Sequence, residues 1–166
     1  MHLATQPLAR SNHGHVLGTL IDKWRNQRLS LRQNLLQLIS CQLLPAAAHE
    51  QETFLQSLCI ELIDYVSSGH FGVYGTIFRQ QAEPDQEMQG LLANLYRSIG
   101  SSTDMVLNFN TKYETSKGHA QTGSLSEDLN KLTRSLLVRF ALEEQLLELS
   151  LGSNSCWEQC PIFVPS

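Results

Sequence analysis

The sequence predicts an all-α fold, an antiparallel up-down four-helix bundle, and three observations carry that reading. Four long segments repeat apolar residues at steps of three and four. The breaks between them are short, and no segment shows the two-residue alternation bounded by hairpin turns that marks strands. At 166 residues the chain has the length of one domain with a sizeable core. The expected organisation is an N-terminal arm over 1–15, a helical domain over 16–151 and an irregular tail over 152–166.

The first helix is expected from about Val16 to Leu44, with Leu17, Leu20, Trp24, Leu31, Leu35 and Leu38 on or near one face and Pro45 ending it. The arm before it reads as flexible or as a short additional helix. The second helix starts near Glu52, carries Phe54, Leu58, Leu62 and Val66 at four-residue steps, and resumes at Tyr74, Ile77 and Phe78 before Pro84 and Asp85 stop it. The third has the clearest periodicity: Met88, Leu92, Leu95, Ile99, Ser102, Val106, Phe109 and Tyr113 form a seam for packing against other helices. The fourth sets Leu125, Leu129, Leu132, Leu136, Phe140 and Leu147 on a similar stripe, with Ser124 or Ser126 as N-cap and Lys117 to Gly123 as the preceding loop.

Composition narrows the function classes. Charged residues make up 17% of a chain whose hydrophobic fraction is 42%, which describes a globular protein. No apolar run reaches the ~18 residues of a membrane span, and Met1 to Gly18 lacks the pattern of an export signal, so a soluble cytoplasmic protein is expected. The formal charge of -4 hides an asymmetry: residues 1–50 hold five basic and two acidic side chains, the remaining 116 hold seven and fourteen. Acidic balance disfavours direct nucleic-acid binding and suits a basic protein partner. Cys41, Cys59, Cys156 and Cys160 read as reduced thiols, with Cys59 in the core; Cys156 and Cys160 lack the further ligands of a zinc site, so no metal or other cofactor is expected.

The most informative stretch is Leu62 to Tyr74, where Ser67-Ser68-Gly69 interrupts a helical apolar pattern. Gly costs a helix about 1 kcal/mol relative to Ala, and Ser competes for backbone hydrogen bonds, so the local reading is a kink or a join between two helices. A recognition site is the sharper alternative. Charged residues also lie on faces where a plain bundle prefers carbon: Asp22, Trp24 and Arg28 in the first helix, and the four-residue pair Arg139 and Glu143 beside Phe140 in the fourth. With Asp64, Tyr65 and His70 they suggest a polar network at one end or in a groove of the bundle, either paired internally or solvated.

Enzyme signatures are missing: there is no Glu-x-x-His pair for a di-iron site, no phosphate-binding loop, no dinucleotide fingerprint and no nucleophile elbow. A His-phosphotransfer module using His70 is the mechanistic alternative, since those modules are also four-helix bundles. His70 is followed by Phe71-Gly72-Val73-Tyr74, with no Lys or Arg before Arg79 to steady a phosphoryl group.

Taken together, Asp22-Lys23-Trp24, Arg28, the run Leu62 to Tyr74 and Arg139-Phe140-Ala141-Leu142-Glu143-Glu144 resemble the Rsd/AlgQ family of bacterial anti-sigma factors, in order and in spacing, from about Gly18 to Leu151. The resemblance implies an all-helical bundle that binds region 4 of the primary sigma factor of RNA polymerase. Capping that helix-turn-helix domain keeps sigma from core polymerase and from the promoter −35 element, typically as growth slows. The positions that carry over are Asp22, Trp24, Arg28, Asp64, Tyr65, Ser68, Gly69, His70, Phe71, Tyr74, Arg139, Phe140 and Glu143, with Asp64 the foremost candidate for a partner contact. The chain departs from the family pattern at Gly75, where an acidic residue is expected, and at Asn108-Phe109-Asn110, in place of a more acidic, Tyr-rich stretch.

Overall fold

The computed structural model describes residues 9–42, 48–80, 86–114 and 122–151, and every described element is helical. Helix α1 spans Ala9–Gln42, α2 Ala48–Ser67, a π-helical segment Ser68–Tyr74, α3 Gly75–Gln80, α4 Gln86–Tyr113 and α5 Thr122–Leu151. There is no strand among the described residues, and no described helix is long and apolar enough to cross a membrane. Helix α1 packs along α2, α4 along α5, and α2 against α4, so the apolar stripes meet in one core.

Periodicity accounts for what is buried. In α4 the buried positions are Leu92, Ile99, Ser102, Val106, Phe109 and Tyr113, the expected seam, with Met88 and Leu95 packed at its edge. Leu17, Trp24, Leu31, Leu35 and Leu38 of α1 and Leu125, Leu129, Leu132, Leu136 and Leu147 of α5 are buried as their stripes require. Cys59 is buried among them, and burial pushes its thiol up to about 11, which makes it inert packing. At the far end of the α4–α5 pair, Lys112 and the Tyr113 hydroxyl (2.6 Å) both bond to the Asp128 carboxylate.

The ends of the elements differ from expectation. Helix α1 begins at Ala9, so residues 9–15, expected within an arm that is flexible or forms a short additional helix, continue α1. Between Ala9 and Val16 Gly14 is the poorest helix former, and its cost of about 1 kcal/mol is small beside the packing of a long amphipathic helix. Helix α5 starts at Thr122, which places Ser124 and Ser126 inside it and not at its cap; Ser124 Oγ instead accepts from Lys112 Nζ at 3.1 Å. Most of the expected Lys117 to Gly123 loop, residues 1–8 and the tail with Cys156 and Cys160 lie outside the described residues.

The Ser-Ser-Gly interruption does not break the helix. Ser67 (φ −65°, ψ −43°) and Gly75 (φ −59°, ψ −34°) are both right-handed helical, and the chain between them widens into a π-helix. Gly69 shows why: a Cβ there would lie 3.0 Å from Tyr74 Oη and 3.2 Å from Trp24 Nε1. Only a residue without a side chain lets the tyrosine and the indole come so close. A helical Gly→Ala change normally stabilises by about 0.5–1 kcal/mol, and Gly100→Ala, with nothing near its Cβ, is expected to do so in thermal or urea denaturation. Gly69→Ala is expected to reverse the sign and destabilise by about 1–3 kcal/mol through overpacking.

Candidate functional site

The polar residues singled out in the sequence separate into a sealed interior and an accessible edge. The interior centres on Glu143, fully buried on α5. Among the described residues four donors reach its carboxylate: Tyr74 Oη (2.6 Å) and Arg139 Nε (2.7 Å) on Oε1, Arg28 Nη2 (3.1 Å) and the Tyr65 hydroxyl on Oε2. A carboxylate has about four lone-pair sites, so its acceptor capacity is filled.

Each tyrosine hydroxyl is used twice. Tyr65 Oη donates to Glu143 and accepts from Arg28 Nε at 3.0 Å; Tyr74 Oη donates to Glu143 and accepts from Arg139 Nη2 at 3.1 Å. Arg139, also fully buried, turns Nη1 toward α4, where it meets Thr103 Oγ1 (2.9 Å) and Ser102 Oγ (3.1 Å). Arg28 reaches Glu144 at the rim, which also takes Arg25 Nη2 at 3.2 Å. One network therefore ties α1, α2, the π segment, α4 and α5, with three arginines around two glutamates.

Aromatic rings wall this centre. Trp24 stacks on Tyr65 (centroids 5.4 Å apart, planes at 6°) and meets Tyr74 edge-on, while the Arg28 guanidinium lies 5.0 Å from both the Trp24 and Phe140 ring centroids. The Trp24 indole N–H donates to the Tyr65 carbonyl at 3.3 Å, just before the helix widens. Burial, then the Glu143 charge, pushes both tyrosine hydroxyls well above their usual range. Burial pulls Arg28 and Arg139 the other way, but the surrounding Tyr65, Glu143, Glu144 and Tyr74 outweigh it and keep both protonated.

The accessible edge runs along the same segment on its outer side. Asp64 and His70 are exposed, Ser68 is half-buried, and Phe71 is 79% exposed. The His70 ring packs edge-on against Phe71 at 4.9 Å and tilts over Tyr96 of α4 at 5.6 Å, with Tyr96 Oη 3.0 Å from His70 Nδ1. Tyr96 also meets Phe78 outside and the buried Tyr74 inside, and so joins the edge to the network. Asp22 is exposed on α1, away from the buried face that carries Trp24.

Of the expected residues, then, Trp24, Tyr65, Tyr74, Arg139 and Glu143 are interior and Arg28 nearly so, with Gly69 and Phe140 packed beside them. Asp22, Asp64, His70 and Phe71 face outward. They do not converge in one groove. Sequence reasoning missed Tyr96, Thr103, Arg25 and Glu144 as members. Ser102 alone left a signal, as a hydroxyl in an otherwise apolar seam.

The described residues thus form a helical protein with a sealed, self-paired polar centre and an outer edge that exposes Phe71, His70 and Asp64. The chain belongs to the Rsd/AlgQ family, described as regulators of the RNA polymerase sigma(70) subunit, whose model matches residues 7–150. Similar proteins include the regulator of sigma D of Yersinia enterocolitica, 26% identical over 138 residues that cover 81% of each chain. That of Pectobacterium carotovorum is 26% identical over 78% of this chain and 86% of its own. An Enterobacter relative of the same name is 27% identical over 62% of each. No solved structure matches.

The geometry sets the cost of disturbing the centre. Glu143→Ala leaves Arg139 without its buried counter-charge and Arg28 with Glu144 alone, and a loss of about 3–5 kcal/mol in unfolding free energy is expected from denaturant titration. The raised tyrosines fix the alkaline limit. Above pH ~10 an unfolded tyrosine sheds its proton while Tyr65 and Tyr74 keep theirs, so the unfolded state binds fewer protons and stability falls as pH rises. The slope is about 1.4 kcal/mol per pH unit for each of the two. Tyrosinate absorbance for these two rings is expected to appear together with loss of helical circular dichroism, not before it.

Proposed function

We propose that this protein binds region 4 of the primary sigma factor and holds it away from core polymerase and promoter DNA. The observation that carries the reading is Phe71, a large aromatic 79% exposed beside exposed Asp64 and His70 in a segment whose other face is fully committed to the core. Rigid aromatic anchors flanked by a carboxylate suit a partner that offers an apolar pocket and an arginine. A helix-turn-helix domain is basic where it meets DNA, and the acidic surplus after residue 50 has the complementary sign.

Family membership and the relatives' description as regulators of sigma D support the same partner. Inhibition is by occlusion: no bond is made or broken, and the protein acts where polymerase acts, in the cytoplasm. For the four long helices we infer the antiparallel up-down arrangement. Its support is the descending order of cross-helix pairs, Trp24 with Tyr65 then Ser30 with Glu61, and Ser102 with Arg139 then Lys112 with Asp128.

Titration of the isolated region 4 domain into the full chain in a calorimeter is expected to give a Kd of about 1 μM or tighter, near −8 kcal/mol. The absence of heat at tens of micromolar would sink the proposal. Phe71→Ala is expected to cost about 2 kcal/mol of binding and Asp64→Ala about 1.5–3. Circular dichroism should show neither unfolds, because both side chains are outside the core. Incubation with acetyl phosphate is expected to leave His70 unlabelled, which separates this function from phosphotransfer.

A further inference from the structure

Core positions along α2 advance by the α-helical steps of three and four through Leu55, Leu58, Leu62, Tyr65 and Gly69. Two adjacent inward side chains follow, Val73 at the regular step of four and Tyr74 five residues after Gly69, and the Tyr74 hydroxyl covers the place where a Cβ of Gly69 would be. An α-helix turns 100° per residue, so a five-residue step in α geometry would put Tyr74 about 140° around the axis from Gly69. The wider π turn brings it back over Gly69. Across the same turn Val73 and Tyr74 are buried in succession and His70 and Phe71 are exposed in succession.

We propose that this five-residue step is a positioning device: the π turn lets Tyr74 lock onto Glu143 inside and, by the same geometry, turns His70 and Phe71 out side by side as the docking edge. The docking part rests on the sigma-binding reading above; the geometric part does not. π segments are rarely stable unaided, and functional sites are where they commonly survive. Here the turn is held from both sides. Inside, Tyr74 Oη is fixed by Glu143 (2.6 Å) and Arg139 (3.1 Å). Along the helix, the Gly72 carbonyl accepts from the Gly75 N–H and from Thr76 Oγ1 at 2.8 Å. Outside, Tyr96 reaches His70 at 3.0 Å.

In this arrangement Tyr74 is a positioning residue: buried itself, it determines where Phe71 stands. Deleting Gly72 tests this directly, because it shortens the step to four, returns the turn to α geometry and leaves Tyr74 over Gly69. The full-length deletion variant is expected to keep its helical circular dichroism and cooperative melting. It is expected to lose the NMR contact between the His70 and Tyr96 rings and to bind region 4 at least about tenfold more weakly. Should the deletion fail to fold, Tyr74→Phe, which retains the ring and removes the lock, is expected to raise amide exchange across 68–74 selectively and to weaken binding in the same direction.

A folded deletion variant, or failing that a folded Tyr74→Phe, that binds as tightly as the natural chain overturns the device. So does a deletion variant that retains the His70–Tyr96 contact. If the natural chain itself does not bind region 4, the sigma reading falls, and the ring contact in the deletion variant, or amide exchange in Tyr74→Phe, still decides the geometric claim.

Discussion

A buried carboxylate with every acceptor site filled is the constraint on which the rest of this structure depends. Glu143 meets its donors only if α1 delivers Arg28, α2 delivers Tyr65, the π segment delivers Tyr74 and α5 turns Arg139 onto its own next turn. Removing any one of them leaves a charged or polar group stranded in a low-dielectric interior, so alternative packings of the same apolar stripes are penalised. Apolar stripes alone tolerate sliding by a turn. The network does not, and it sets the relative heights of the helices.

The same constraint explains the irregular helix. A tyrosine hydroxyl must reach Glu143 from the second long helical segment at two levels, Tyr65 and Tyr74, and nine residues in α geometry would turn them about 180° apart. Widening the helix after Ser67 brings both to the interior, and Gly69 clears the space into which Tyr74 and Trp24 fit. Irregularity here follows from satisfying the core.

Much of the fold was legible because it rests on periodicity. The α4 seam and the α1 and α5 stripes were readable residue by residue, and the Arg139–Glu143 pair announced itself by four-residue spacing. The site was legible only as a set of residues. That Tyr65, Asp64 and His70 would part company depended on side-chain direction within one helical turn, and the π step shifts that direction without leaving a mark in composition. Tyr96 was missed because its role is set by a partner in another helix. The boundaries at Ala9 and Thr122 were missed because local capping signals fix the start of a helix poorly.

The burial of the network's centre has a consequence for how this protein responds to its medium. Arg139 and Glu143 pair at full burial within a region walled by Trp24, Tyr65, Tyr74 and Phe140, where mobile ions scarcely penetrate, while Glu144 and Arg25 lie part-exposed at the rim. The charges that give the chain its acidic excess lie mostly outside, where at physiological ionic strength attraction fades beyond roughly 8 Å. Salt therefore acts on the two separately: a rising ionic strength dims the field a basic partner sees and leaves the buried Arg139–Glu143 pair almost untouched.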